Sequence, residues 1–117
     1  MVRSEIRMVE LDSGRGSEAN RTRQAIIVSN NGANASATRQ GRGVITVVPL
    51  TSNTRRALPF QVLLLAGSCG LDRDSKAQAE QVRSVDVSRV GAHRARVPDQ
   101  LMVAVDAALR RHLDLTN

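Results

Sequence analysis

At 117 residues the chain has room for one modest core and not for two, so a single domain over residues 1–117 is expected. The apolar run Val62 to Gly67 is far too short to cross a bilayer, and Met1-Val2-Arg3-Ser4-Glu5 has no signal-like apolar region. Cys69 is alone, which excludes an intrachain disulfide framework or thiolate metal cluster, and a cytoplasmic protein follows.

The net charge is +6, and sixteen of the seventeen basic residues are arginine, whose planar fork suits bidentate contact with phosphate. A GC-rich coding sequence would give the same arginine excess, so placement says more than number. No acidic residue lies between Glu18 and Asp72, whereas Arg21, Arg23, Arg39, Arg42, Arg55 and Arg56 all do. Residues 1–58 carry nine bases against four acids, or +5, leaving +1 for the remainder. Such a one-sided field attracts a polyanion: RNA, DNA or an acidic peptide. Phe60 is the only aromatic residue, which disfavours modules that read single strands by stacking bases on rings.

In chain order, residues 5–11 place Ile6 and Met8 on alternate positions and predict a half-exposed first strand. Residues 12–22 are small and polar without periodicity, a loop long enough to be functional or disordered. Ala25 to Asn30 predicts a second, more apolar strand. Asn30 to Ser36 reads as a turn, and 37–42 as a polar, basic connector. Gly43 to Leu50, rich in Val and Ile, is expected to be the central buried strand, with Pro49 stopping its ladder or forcing a bulge. Thr51-Ser52-Asn53 then holds polar groups at the mouth of that strand. Residues 54–59 form a loop and 60–66 another buried strand. Gly67 to Gly70, with Cys69, is a loop. Asp72 to Ser75 is a turn, and Ser75 to Asp86 reads as one bent strand with a bulge near Gln81. Residues 88–96 give no clear signal. A helix runs from Pro98 to about Leu113, with Leu101, Met102, Val105, Leu109 and Leu113 on one side. Many short strands and one terminal helix predict a small, curled antiparallel barrel, mainly β, with the C-terminal helix over an opening.

Metal chemistry is not indicated, because HExxH, CxxC and paired-histidine patterns are missing. His112 falls in the last helical turn and reads as structural, while His93 lies in the segment without a clear signal. Asp72 and Asp74 read as a solvated turn, and Gly14-x-Gly16 is too short for a phosphate-binding fingerprint.

What remains is Gly16-Ser17-Glu18, Arg23, the Ser29-Asn30-Asn31 turn with Asn34, Thr51-Ser52-Asn53, Asp74-Ser75, Glu80-Gln81-Val82-Arg83 and Val105-Asp106-Ala107-Ala108-Leu109. In this order and spacing, over almost the whole chain, these segments resemble the MazF/PemK family of bacterial toxin endoribonucleases. The resemblance implies an SH3-like barrel of the CcdB/PemK type that forms a homodimer. It implies cleavage of single-stranded RNA at short specific sequences, with no metal or other cofactor, and a partner antitoxin with an acidic, flexible tail. By motif position, the family's catalytic arginine falls on Arg23 and its catalytic threonine on Thr51. Ser17 and Glu18 are expected to contact RNA, with Arg21, Asn31, Asn34, Ser52, Asn53, Arg55 and Arg56 as further contacts.

Cleavage by the 2′-OH needs a dianionic phosphorane to be stabilised and protons to be moved. Arg23 can present two aligned donors to phosphate oxygens but is a poor base. Its first role is therefore transition-state stabilisation, and its second is proton donation to the leaving oxygen. Thr51 would orient the phosphate or the 2′-OH, and the general base is unassigned. The chain departs from the family pattern at Ser4 in place of Gly, at Arg7 and Met8 in place of an aromatic, and at Gln24 in place of Pro. Ala92 to Arg96 also replaces the usual Ile-Gly before the last helix. Those departures support an alternative: a degenerate toxin homologue that binds an antitoxin or gyrase without cutting RNA.

Overall fold

Strands form where β-branched residues cluster, and Val44-Ile45-Thr46-Val47-Val48 is the densest such cluster in the chain. The computed structural model describes residues 1–116. In it seven strands, β1 (Glu5–Glu10), β2 (Thr22–Ile27), β3 (Val44–Thr51), β4 (Gln61–Leu64), β5 (Ser75–Gln78), β6 (Arg83–Asp86) and β7 (Val90–Arg96), pair antiparallel throughout. Three helices, α1 (Asn31–Gln40), α2 (Ala66–Cys69) and α3 (Asp99–Leu113), and two short 3₁₀ turns complete the chain. The strand order is β4-β5-β3-β2-β1-β7, with β6 also paired to β3.

β3 is the axis of this arrangement. One edge pairs with β2 over Val47–Pro49, while the other pairs first with β6 over Val44–Val47 and then with β5 at Leu50 and Thr51. The ladder with β2 stops at Pro49, as the sequence expectation had it, while the strand itself runs on to Thr51. The Thr46 carbonyl accepts from Val28 N–H at 2.9 Å, so Thr46 and Val48 face β2 and Pro49 faces the other edge. There the ladder has a gap between the β6 and β5 rungs, and a residue without an N–H costs nothing. The expected single bent strand over 75–86 is two strands, β5 and β6, joined by the 3₁₀ turn Ala79–Gln81. They meet β3 on either side of Pro49.

Both faces of the central strands are buried, which explains their nearly unbroken apolar sequence. Ile6, Ile26, Val48, Leu50, Leu64, Ala77, Val97, Met102 and Val105 form one core under α3. Val9, Leu11, Ala25, Ile27, Ile45, Val47, Val85 and Ala37 form a second on the opposite face, closed by α1. Because Leu64 of β4 and Ala95 of β7 share the first core, the two ends of the sheet curl toward each other around α3.

Two expectations are corrected at α1 and β7. The segment read as a turn and connector is helix α1, in which only Asn34 and Ala37 are buried. The Asn30 side chain is its N-cap, accepting from Ala33 N–H at 2.8 Å, and Gly41 closes it at φ +67°. The segment 88–96, without a clear signal in sequence, holds β7 over Val90–Arg96. α3 starts after Pro98 as expected, with Met102, Val105 and Ala108 inward, although Leu113 lies exposed rather than on the packed stripe. No helix of the described residues is long and apolar enough to cross a membrane.

Candidate active site

The β2–β3 register runs Ile27↔Val47, Ile26↔Val48, Ala25↔Pro49. Carried two residues further, it sets Arg23 directly opposite Thr51, and residues so opposed share one face of the sheet. The ladder itself stops at Ala25 and Pro49, so the strands part just where these side chains stand. The gap is an open cleft of about 390 Å³ lined by Arg23, Thr51 and Ser52, by Met8 and Gln24, and by Asp72, Arg73, Ser75 and Arg94. Three arginines against one aspartate make it positive.

Arg23 is half-buried and held by one edge. Its Nε donates to the Asn20 carbonyl at 2.9 Å and its Nη2 lies 3.5 Å from Asn20 Oδ1. The Nη1 corner has no partner among the described residues, so it is free to donate to an oxyanion. Thr51 Oγ1 accepts from Asn53 N–H at 3.2 Å, which leaves the hydroxyl proton free to donate. The free corner of an arginine and a hydroxyl that line one cleft from adjacent strands are the groups that can hold a phosphodiester there.

Asn20 belongs to the 12–21 loop, and the order of that loop therefore sets the position of Arg23. Its neck is closed by Arg21 N–H to the Asp12 carbonyl (2.6 Å) and Leu11 N–H to the Arg21 carbonyl (2.8 Å). Farther out, Gln81 spans it: Oε1 accepts from Ala19 N–H at 2.8 Å and Nε2 donates to the Ser17 carbonyl at 2.7 Å. Arg83 Nη1 reaches the Leu11 carbonyl at 3.2 Å. At Gly14 a Cβ would stand 2.6 Å from the Glu18 carbonyl, so the loop can close only around glycine.

Of the residues singled out from sequence, Arg23, Thr51 and Ser52 share the cleft. Ser17, Glu18 and Arg21 are exposed on the 12–21 loop, with Glu18 on a separate hollow beside Asp12 and Gln81. Asn53, Arg55 and Arg56 are exposed on the loop that follows Thr51. Asn31 and Asn34 lie beyond the opposite end of β2, about 20 Å from Arg23 along the strand. Asn34 is a correction. It is wholly buried, its Nδ2 donates to the Ser29 carbonyl at 2.9 Å and to Asn31 Oδ1 at 3.3 Å, and its Oδ1 accepts from Ser29 Oγ at 2.5 Å. No polar atom of it is left for RNA. Asn31 is exposed, though its Oδ1 also accepts from Arg3 N–H at 2.7 Å.

Sequence reading missed Arg73 and Arg94. Arg73 lies in a turn read as solvated; that turn is exposed, as expected, and it also rims the cleft, while Asp74 accepts from Ala66 N–H at 2.8 Å. Arg94 belongs to β7, and the signal that could have found it is the alternation of Arg94 and Arg96 with buried Ala95 and Val97. His112 packs its ring 5.7 Å from that of Phe60, and His93 faces Glu5 at 3.6 Å; neither lines the cleft. Cys69 is buried, and burial pushes its thiol pKa up, which leaves it unreactive. Among the described residues no group of three His, Cys, Asp or Glu side chains is placed to hold a metal ion.

Comparison with known proteins gives one consistent answer. The profile of the PemK-like, MazF-like toxins of type II toxin–antitoxin systems matches residues 2–113. The chain is 56% identical to the endoribonuclease MazF9 of Mycobacterium tuberculosis over 115 residues, covering 98% of each chain. It is 31% identical to the endoribonuclease MazF2 of Mycobacterium bovis, over 97% of this chain and 96% of that one. Among solved structures, the Mycobacterium tuberculosis toxin MazF-mt6 superposes with a TM-score of 0.78 at 21% identity, over 97% and 99% of the two chains. An endoribonuclease solved with its cognate antitoxin, from a mycobacterial species, superposes with a TM-score of 0.74 at 22% identity, over 100% and 98%. By sequence and by fold, the chain belongs to the PemK-like, MazF-like toxin family of type II toxin–antitoxin systems.

Proposed function

We infer that this protein is the toxin of a type II toxin–antitoxin pair and an endoribonuclease that cuts single-stranded RNA at short sequences, so halting translation and growth. The observation that carries the reading is that Arg23 and Thr51 line one cleft of positive sign, just past the last β2–β3 rung at Ala25 and Pro49. Its 56% identity to an endoribonuclease over nearly the full length supports the same reaction here.

The chemistry runs as an internal transfer. The 2′-oxygen bonds to phosphorus as its proton leaves to a base, and the bond from phosphorus to the 5′-oxygen breaks as that oxygen takes up a proton. The products are a 2′,3′-cyclic phosphate and a free 5′-hydroxyl. Arg23 stabilises the charge that builds on the non-bridging oxygens and then protonates the leaving oxygen. Thr51 orients the phosphate through its hydroxyl, and the base is left unassigned. Arg73 and Arg94 hold flanking phosphates, with Arg55, Arg56, Ser52 and Asn53 along the exit from Thr51 and Ser17, Glu18 and Arg21 on the neighbouring loop. The protein acts in the cytoplasm as a homodimer, and an antitoxin with an acidic, flexible tail occupies the same positive cleft.

Purified protein incubated with mixed RNA in EDTA tests this. Discrete fragments ending in 2′,3′-cyclic phosphate are expected, and Arg23→Ala should lower the rate by about 10²- to 10³-fold with an unchanged circular dichroism spectrum. RNA left intact at high enzyme concentration, or full activity in Arg23→Ala, overturns it.

A further inference from the structure

The chain has a single lysine, Lys76, and the fold puts it in an unusual place. In β5 it pairs with Thr51 of β3 on one side and with Leu63 of β4 on the other. Residues so opposed share a face of the sheet, and on this face Leu63 is 44% exposed whereas Lys76 is only 9% exposed. The loop between β3 and β4 roofs the lysine: its Nζ donates to the Arg56 carbonyl at 2.5 Å. No carboxylate of the described residues lies within 4.0 Å of it, so a nearly buried ammonium stands without a counter-ion.

A buried charge is costly unless it is hydrogen-bonded, and the one bond of this ammonium goes to the β3–β4 loop. The remaining hydrogen bonds of the loop are local. Asn53 N–H reaches Thr51, Arg55 N–H reaches Asn53 Oδ1, and Leu58 pairs through both N–H and carbonyl with Gln61. None of these spans more than three residues, so they hold the loop only at its two ends, on Thr51 of β3 and Gln61 of β4. Among the described residues the Lys76 bond, spanning twenty, is the one hydrogen bond that ties residues 53–58 to a strand other than the two they connect. Since Lys76 is the rung beside Thr51, it is tied at the cleft.

The geometry points to Lys76 as a positioning residue that pins the β3–β4 loop to the sheet and so holds Arg55 and Arg56 at the Thr51 end of the cleft, where they meet the backbone phosphates of RNA. This rests on the nuclease reading above for the identity of the polyanion, but the pinning itself does not. Because the ammonium donates to a main-chain carbonyl, the Arg56 side chain remains free to reach outward.

The test uses the full-length protein carrying Lys76→Met, which keeps the aliphatic stem and removes the donor, and Lys76→Arg, which restores one. The peptide bonds after Arg55 and Arg56 are trypsin sites, so limited proteolysis reads loop opening without reference to activity. Cutting there should quicken by about tenfold or more in Lys76→Met, the size of one charge-assisted hydrogen bond, with an unchanged or raised melting temperature and with partial rescue in Lys76→Arg. On RNA, KM should rise several-fold with kcat within about twofold, and the loss should not add to that of an Arg55→Ala, Arg56→Ala double variant. Unchanged proteolysis in Lys76→Met overturns the proposal, and so does a looser loop with unaltered KM or with fully additive losses. A wild-type protein that leaves RNA uncut removes the nuclease reading, while loop opening on removal of the ammonium still upholds the pin.

Discussion

Replacing Asn34 by Ala separates a structural role from an RNA-binding one. In the fold its amide closes a network at the end of β2: it bonds the Ser29 carbonyl, Asn31 Oδ1 and Ser29 Oγ, and Ser29 Oγ in turn accepts Thr46 N–H at 3.1 Å. Truncation removes three hydrogen bonds worth about 1 kcal/mol each net and strands a buried carbonyl, so a loss of roughly 3 kcal/mol is expected. In a domain of this size that lowers the melting temperature by about 10–15 °C. The chain has no Trp and no Tyr, so urea unfolding is followed by far-ultraviolet circular dichroism rather than fluorescence. Cleavage of RNA well below the transition should keep kcat and KM within about twofold, because the residue sits about 20 Å from Arg23. A tenfold rise in KM with an unshifted urea midpoint would refute the assignment and return Asn34 to the RNA surface.

Gln81→Ala releases the two main-chain bonds that span the 12–21 loop. Amide hydrogen exchange at residues 17–21 should quicken by about tenfold, and kcat should fall as Asn20 ceases to hold Arg23; protected amides with lost activity would contradict this. Burial raises the pKa of the Glu5 carboxyl, but the Val2 N–H bond, the charge and bond of Arg7 and the N-terminal amine together outweigh it, and the net pKa is lowered. Its stabilising contribution is therefore present at neutral pH and lost as pH falls through the folded value. Melting temperatures of wild type and Glu5→Gln should thus differ at pH 7 and converge as pH falls below the ordinary glutamate range. Ser4 is held at φ +84° with its Oγ accepting from Arg96 Nε at 3.0 Å. Ser4→Gly relieves that strain and forfeits that bond, so unfolding free energies should agree within about 1 kcal/mol, whereas Ser4→Val should lose about 2 kcal/mol or more.

The strands with the strongest β-branched patterns, β2 and β3, were legible from sequence because their burial on both faces leaves little else for them to be. The terminal helix was legible because its apolar residues recur at three- and four-residue spacing. α1 was not, since Asn31-Gly32-Ala33-Asn34-Ala35-Ser36 has the composition of a turn and buries only a small residue and an amide. Its cap, Asn30, was seen as turn chemistry, which is the same hydrogen bond in a different setting. Pro49 was read as the stop of a ladder or a bulge, and the β2–β3 ladder does stop there; that the strand runs on was not legible, because a sequence does not reveal which edge of a strand lacks a partner. At the site, Arg23 and Thr51 were legible through motif order, and the register explains why they belong together: both lie one turn of the pleat beyond the last shared rung. Arg73 and Arg94 were not, because Arg73 arrives from a turn and the short alternation around Arg94 does not say which strand lies beside it.

The crowding of Arg23, Arg73 and Arg94 around a single Asp72 has a thermodynamic side. With nothing bound, these cations repel one another, and the empty protein is loosened by its own cleft. Salt or any docked polyanion relieves that repulsion, and stability then rises with ligand concentration by mass action. Two polyanions drawing on one set of guanidinium groups exclude each other, so the state that is most resistant to unfolding under an acidic inhibitor is also the state that cannot take hold of a transcript.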